Sequence, residues 1–144
     1  MAEAIEGLQA EFNRILSPLR QEGNPSVPRQ LHNVSEARLY QRELGLIQTQ
    51  LRSFKANINH AKKQTHLMFD HAQTNANNHP FVAAFAGKKK ANHLRAQEKQ
   101  RLRAREQMAV RPYELLAQEV DAAILRLDQM KLDIDKAIQG GQIR

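Results

Sequence analysis

Residues 37–72 read "ARLYQRELGLIQTQLRSFKANINHAKKQTHLMFDHA", and the spacing of their apolar side chains decides the fold class. Ala37, Tyr40, Leu44, Ile47, Leu51, Phe54, Ile58, Ala61, Thr65, Met68 and Ala72 alternate steps of three and four without a break. A run of five heptads predicts one long helix with a single apolar seam. At about 1.5 Å per residue it extends about 50 Å. Asn33 stands just before it with Glu36 three residues on, the spacing of a capping box with Asn in the Ser/Thr role. Asn33-Val34-Ser35 also matches a glycosylation sequon. The start of the chain has neither a basic n-region nor an apolar h-region, so the capping reading is preferred.

Two further segments carry the same pattern. Upstream, Ile5, Leu8, Phe12, Ile15 and Leu19 are spaced 3-4-3-4, with Pro18 near the end. Proline removes a helix hydrogen bond and crowds the preceding turn, so this helix is expected to kink or stop around Ser17. "GNPSVP", residues 23–28, reads as a loop. Downstream, Tyr113, Leu116, Val120, Ala123, Leu127, Met130, Ile134 and Ala137 repeat the spacing. Ile124 and Ile138 widen that stripe into a bundle face. Pro112 suits a first helical position and Gly140-Gly141 a stop. "QTNANNHP", residues 73–80, reads as a turn. "FVAAFAG", residues 81–87, opens the remaining stretch and is expected to dock on the end of the long helix.

The pattern predicts helices over 2–17, 34–72, 81–109 and 112–139, with loops at 23–32 and 73–80. The expected fold class is all-α, a single helical domain over residues 1–144. Its architecture is an elongated three- or four-helix bundle or coiled-coil hairpin with long heptad-patterned helices and no sheet. Low aromatic content (5%) and the absence of Trp agree with this class better than with a sandwich or barrel.

Charge is the second signal. The chain has a formal net charge of +7. Residues 88–111 hold nine basic and two acidic side chains, a local excess of seven, while the flanking segments nearly cancel. In "GKKKANHLRAQEKQRLRARE", residues 87–106, Leu94 and Leu102 are the only large apolar residues, so this helix is polar nearly all round. Arg95–Lys99, Lys99–Arg103 and Arg101–Arg105 are like-charge pairs at i, i+4, each unfavourable by a few tenths of a kcal/mol on an isolated helix. Acids are few: Glu98 can pair with Arg101, and Glu106 lies near Arg103. A polymer of phosphates relieves the repulsion and releases counterions.

The expected polyanion contacts are Lys88, Lys89, Lys90, Arg95, Lys99, Arg101, Arg103 and Arg105. Arg52, Lys55, Lys62 and Lys63 of the long helix join them if the chain reverses at 73–80. No aromatic residue lies between Phe85 and Tyr113, which argues against base stacking and for backbone phosphate contact without sequence readout. A basic helix leading into heptads is the basic-zipper arrangement, but Pro112 interrupts it and the zipper positions hold Leu116, Ala123, Met130 and Ala137.

Other chemistries find no support. Cysteine is absent, which removes disulfides, thiolate metal sites and a Cys nucleophile. "AGKKK" lacks the glycine and Ser/Thr of a phosphate loop. His66 and Asp70 have a metal-compatible spacing but are only two ligands and point outward, so no metal is expected. The acids Glu114, Glu119, Asp121, Asp128, Asp133 and Asp135 read as a solvated face pairing with Lys131 and Lys136. The longest apolar run, "FVAAFA", is far short of a membrane span.

The expected function is therefore non-catalytic and cytoplasmic, with no cofactor: a helical protein binding a polyanion, most simply the DNA or RNA backbone, through residues 88–111. The alternative is an adaptor or assembly factor acting by protein–protein interaction. Its interface is the apolar seams: Leu44, Ile47, Leu51, Phe54, Ile58, Leu116, Val120, Leu127, Met130 and Ile134. Such long seams need a partner helix that the basic segment, with charges at its seam positions, is not expected to provide. A homo-oligomer is the expectation that follows.

Overall fold

The computed structural model describes the backbone of residues 2–21, 33–77 and 80–143, and the side chains of residues 3–19, 33–74 and 93–143. These form α1 (Ala2–Gln21), α2 (Val34–Asn77) and α3 (Pro80–Gln139), all α-helix with no strand among the described residues. The fold is all-α and three-helical. The expected loop at 23–32 lies outside the described residues, as do the side chains of the "FVAAFAG" segment.

The prolines do not stop their helices. Pro18 lies inside α1. Its missing N–H leaves the Arg14 carbonyl without the usual donor four residues on. Ser17 Oγ donates to that carbonyl at 2.7 Å and takes over the role. Pro112 lies inside α3, so the two helices expected at 81–109 and 112–139 are one. Its neighbours Val110, Tyr113 and Leu116 are all buried, at 3–4% exposure. Packing of that face outweighs a local propensity penalty of about 3 kcal/mol. Of the turn expected at 73–80, Gln73 to Asn77 continue α2 and Pro80 opens α3, while residues 78 and 79 lie outside the described residues.

The expected caps form. Asn33 Oδ1 accepts the Glu36 N–H at 2.8 Å, and Asn33 O accepts the first α2 bond from Ala37 N–H at 3.1 Å. At the far end Gly141 takes a positive φ of 75°, Gln142 N–H reaches Ala137 O at 3.0 Å, and Gly141 N–H reaches Ile138 O at 3.2 Å. This is the Schellman termination, which favours glycine at that position.

The chain divides into two contact units. The first comprises Met1–Ile58 and Leu116–Arg144, the second Asn59–Leu115. In the first, α1 packs on α2 through Ile15 and the stacked rings of Phe12 and Phe54, whose centroids are 6.0 Å apart. The α2 and α3 segments are antiparallel, since pairs run from Arg38–Asp135 to Lys55–Asp121. Ala37, Tyr40, Leu44, Ile47, Leu51, Phe54 and Ile58 are buried, as are Leu116, Val120, Leu127 and Ile134. Met130 is half-buried. The expected seam is thus closed within one chain.

The second unit is again an antiparallel pair, held by Lys62–Glu114 at 3.2 Å and His66–Glu106. Here the basic helix does lie along α2, contrary to the expectation that seam charges would prevent it. Leu102, Ala109, Val110 and Tyr113 supply enough apolar surface near the acidic and basic pairs. Met68, a seam position by heptad count, is 62% exposed, whereas Phe69 is half-buried. A straight helix of 3.6 residues per turn drifts against a seven-residue repeat, leaving Met68 about 100° from Leu51 and Phe69 in line with it.

Candidate polyanion-binding surface

Heptad position sorts the cations of α2 and α3 into two classes. One class is engaged in the helix pairing. Gln41, Gln48, Lys55 and Lys62 follow one another at seven-residue intervals on α2; Glu114, Asp121, Asp128 and Asp135 do so on α3. In the first unit, Gln41 Nε2 donates to Asp135 Oδ1 and to the Lys131 carbonyl, both at 2.9 Å. Gln48, 1% exposed, donates from Nε2 to the Ile124 carbonyl at 3.1 Å and to Asp128 Oδ1 at 2.6 Å. Its Oε1 accepts from Lys131 Nζ at 3.1 Å. Both polar atoms of that buried amide are therefore hydrogen-bonded, as burial demands. Lys55 Nζ lies 2.7 Å from Asp121. In the second unit Lys62 pairs with Glu114.

These acids therefore face α2, where the sequence predicted a solvated face pairing with Lys131 and Lys136. The Asp135 carboxyl is held below the ordinary carboxylate range, first by the Gln41 hydrogen bond and then by that of Arg38. Lys55 and Lys62 are neutralised by their partners, although sequence grouped them with the outward cations. Writing α2 and α3 in antiparallel register exposes the two seven-residue repeats, a signal that a reading of each helix alone misses.

The other class makes no ion pair among the described residues. Lys99, Arg101, Arg103 and Arg105 of α3 are exposed, as are Arg52 and Lys63 of α2. Arg95 is half-buried, and its Nε is shielded from solvent without a hydrogen-bond partner. Lys88, Lys89 and Lys90 fall on α3, but their side chains lie outside the described residues. Glu106, expected near Arg103, is taken by His66, with Nδ1 2.5 Å from its carboxylate. One of the two acids of the basic stretch is thus turned away from the arginines. Glu98 is exposed.

The contact units also divide the charge. Residues of the first unit number eleven basic and eleven acidic; those of the second number eleven basic and four acidic. The formal charges are zero and +7. Among the described residues no group of three or more His, Cys, Asp or Glu side chains is placed to hold a metal, and no helix is long and apolar enough to cross a membrane. Comparison with protein-family models, curated proteins and solved structures finds no match for this chain.

Proposed function

We propose that this is a non-catalytic, cytoplasmic helical protein whose second unit binds the phosphate backbone of DNA or RNA. The observation that carries the reading is the division of charge, zero against +7, between units that share α2 and α3. Phosphate contacts give affinity without sequence information, and the absence of aromatic residues from 86–112 favours them over base stacking. The contacts in this reading are Arg95, Lys99, Arg101, Arg103, Arg105, Lys63 and Arg52, with Lys88, Lys89 and Lys90 continuing the run. Lys55 and Lys62 serve the helix pairing instead.

The finer architecture is part of the same proposal: an elongated coiled-coil hairpin. It is supported by the repeat of Gln41, Gln48 and Lys55 against Asp135, Asp128 and Asp121, and small-angle scattering tests it. Self-association, if retained, uses surfaces other than the apolar seams, such as the exposed Leu39 and Leu46. Sedimentation of a monomer at high concentration overturns it. The adaptor reading is the alternative; of its seam residues Leu44, Ile47, Leu51, Phe54, Ile58, Leu116, Val120, Leu127 and Ile134 are buried and Met130 is half-buried.

The test is a titration against duplex DNA, single-stranded DNA and RNA at two salt concentrations. Binding should weaken steeply with salt and vary little with sequence. Reversing Arg101, Arg103 and Arg105 to Glu should reduce affinity at least tenfold with helicity unchanged. Binding indifferent to both salt and charge reversal rejects the reading.

A further inference from the structure

We infer that the second unit takes duplex DNA by seating α3 in the major groove, an inference that rests on polyanion binding by that unit. The arrangement that carries it is two rows of exposed cations on opposite flanks of one helix, with an exposed stripe free of acids between them.

Contacts within the unit fix which side of α3 is turned to α2. Glu106 meets His66, Val110 and Tyr113 are buried, and Leu102 is half-buried. The far side carries His93, Gln97, Gln100, Ala104, Gln107 and Arg111, spaced 4-3-4-3-4 and exposed at every position. Lys99 and Arg103 form one row of exposed cations, and Arg101 and Arg105 the other. At 3.6 residues per turn each row lies about 100° from the middle of that stripe, in opposite directions. Neither acid of this segment interrupts the stripe. Glu106 is held by His66, and Glu98 lies on the α2 side of Arg101.

A ligand that meets both rows must offer phosphates on two sides of a helix. The major groove of B-DNA does so: it is about 12 Å wide and admits an α-helix, whose diameter with side chains is about 10–12 Å. Its rims are the two phosphate backbones, within reach of the long flanking side chains. Its floor presents base edges to the stripe, where three glutamines are neutral donors and acceptors and Ala104 allows close approach. A single strand offers one backbone, and the major groove of A-form RNA is too deep and narrow for the helix to enter. Four phosphates neutralised on B-DNA give a slope of log K against log salt of about 3.6, and each row supplies about half of it.

The experiment measures fluorescence anisotropy of labelled duplexes of about 20 base pairs with the full chain over a salt series. Three ligands of equal charge are compared: mixed-sequence DNA, the same DNA with a glucosyl group on each cytosine filling the major groove, and the matching RNA duplex. Plain DNA should bind at least about tenfold more tightly than either of the others. The variants K99Q/R103Q and R101Q/R105Q, with helicity followed by circular dichroism, should each weaken binding to plain DNA and lower its salt slope by about 1.8. Glucosylated DNA or RNA bound as tightly as plain DNA overturns the groove seating and leaves polyanion binding intact. So does either double variant that keeps the full affinity and slope. No binding to any of the three overturns the underlying reading as well, so the two failures are distinguishable.

Discussion

The two units share α2 and α3, with α1 added to the first, yet they differ in what holds them and what they display. In the first, Leu44, Leu51, Ile58, Val120 and Leu127 are all at most 2% exposed, and α1 adds Ile15 to the same core. In the second, the buried side chains among the described residues are Thr65, Val110 and Tyr113. Thr65 satisfies its own hydroxyl by donating to the Ala61 carbonyl at 3.0 Å. Apolar burial is the main source of stability, and among the described residues more of it lies in the first unit. Among the described residues, the second shows fewer buried side chains and more cations without an ion pair. In the proposed reading, the polyanion surface lies on the unit whose described apolar core is the smaller.

Truncation should break this comparison most directly. Leu51→Ala is expected to cost about 3–4 kcal/mol in urea unfolding, because it leaves a cavity among packed neighbours. Leu102→Ala, at a half-buried site of the second unit, should cost only about 1 kcal/mol. Equal losses would mean that the second unit is as fully cored as the first. A smaller effect is expected from Gln48→Ala, about 2 kcal/mol, since Asp128 and Lys131 lose a buried partner. A loss below roughly 0.5 kcal/mol would show that solvent replaces the amide there and that the first unit is less tightly closed.

The smallest effect concerns acid. A carboxyl whose value is lowered in the folded state stabilises above its unfolded value, and that stabilisation disappears as pH falls through the lowered value. Asp135 belongs to this class, through Gln41 and then Arg38. Asp135→Asn should lower the Tm slightly at neutral pH, and the gap to the parent should close on the acid side of the ordinary carboxylate range. A gap that persists in strong acid would assign the effect to packing instead.

Much of this was legible in the residues. The 3–4 spacing located α2 and the later part of α3, and Asn33 and Gly141 marked their ends. Two kinds of feature were not legible. Local rules about proline failed at Pro18 and Pro112, because Ser17 repairs one break and the packing of Val110, Tyr113 and Leu116 overrides the other. Pairing rules within one helix failed for Asp121 and Asp128, because their partners lie 66 and 80 residues away. The charge excess at residues 88–111 was visible from composition. That it coincides with a separate contact unit was not.

The sequence by itself determined the all-α class, the buried faces and the sign of the second unit's field. Periodicity and formal charge are properties of the chain's order alone. Only the tertiary structure decided which cations stay available. Lys55 and Lys62 have the same intrinsic charge as Lys63 and Arg52, but the rotation of α2 against α3 turns the first two toward Asp121 and Glu114. Availability depends on which helix face meets an acid, and that is fixed by packing between residues distant in the chain.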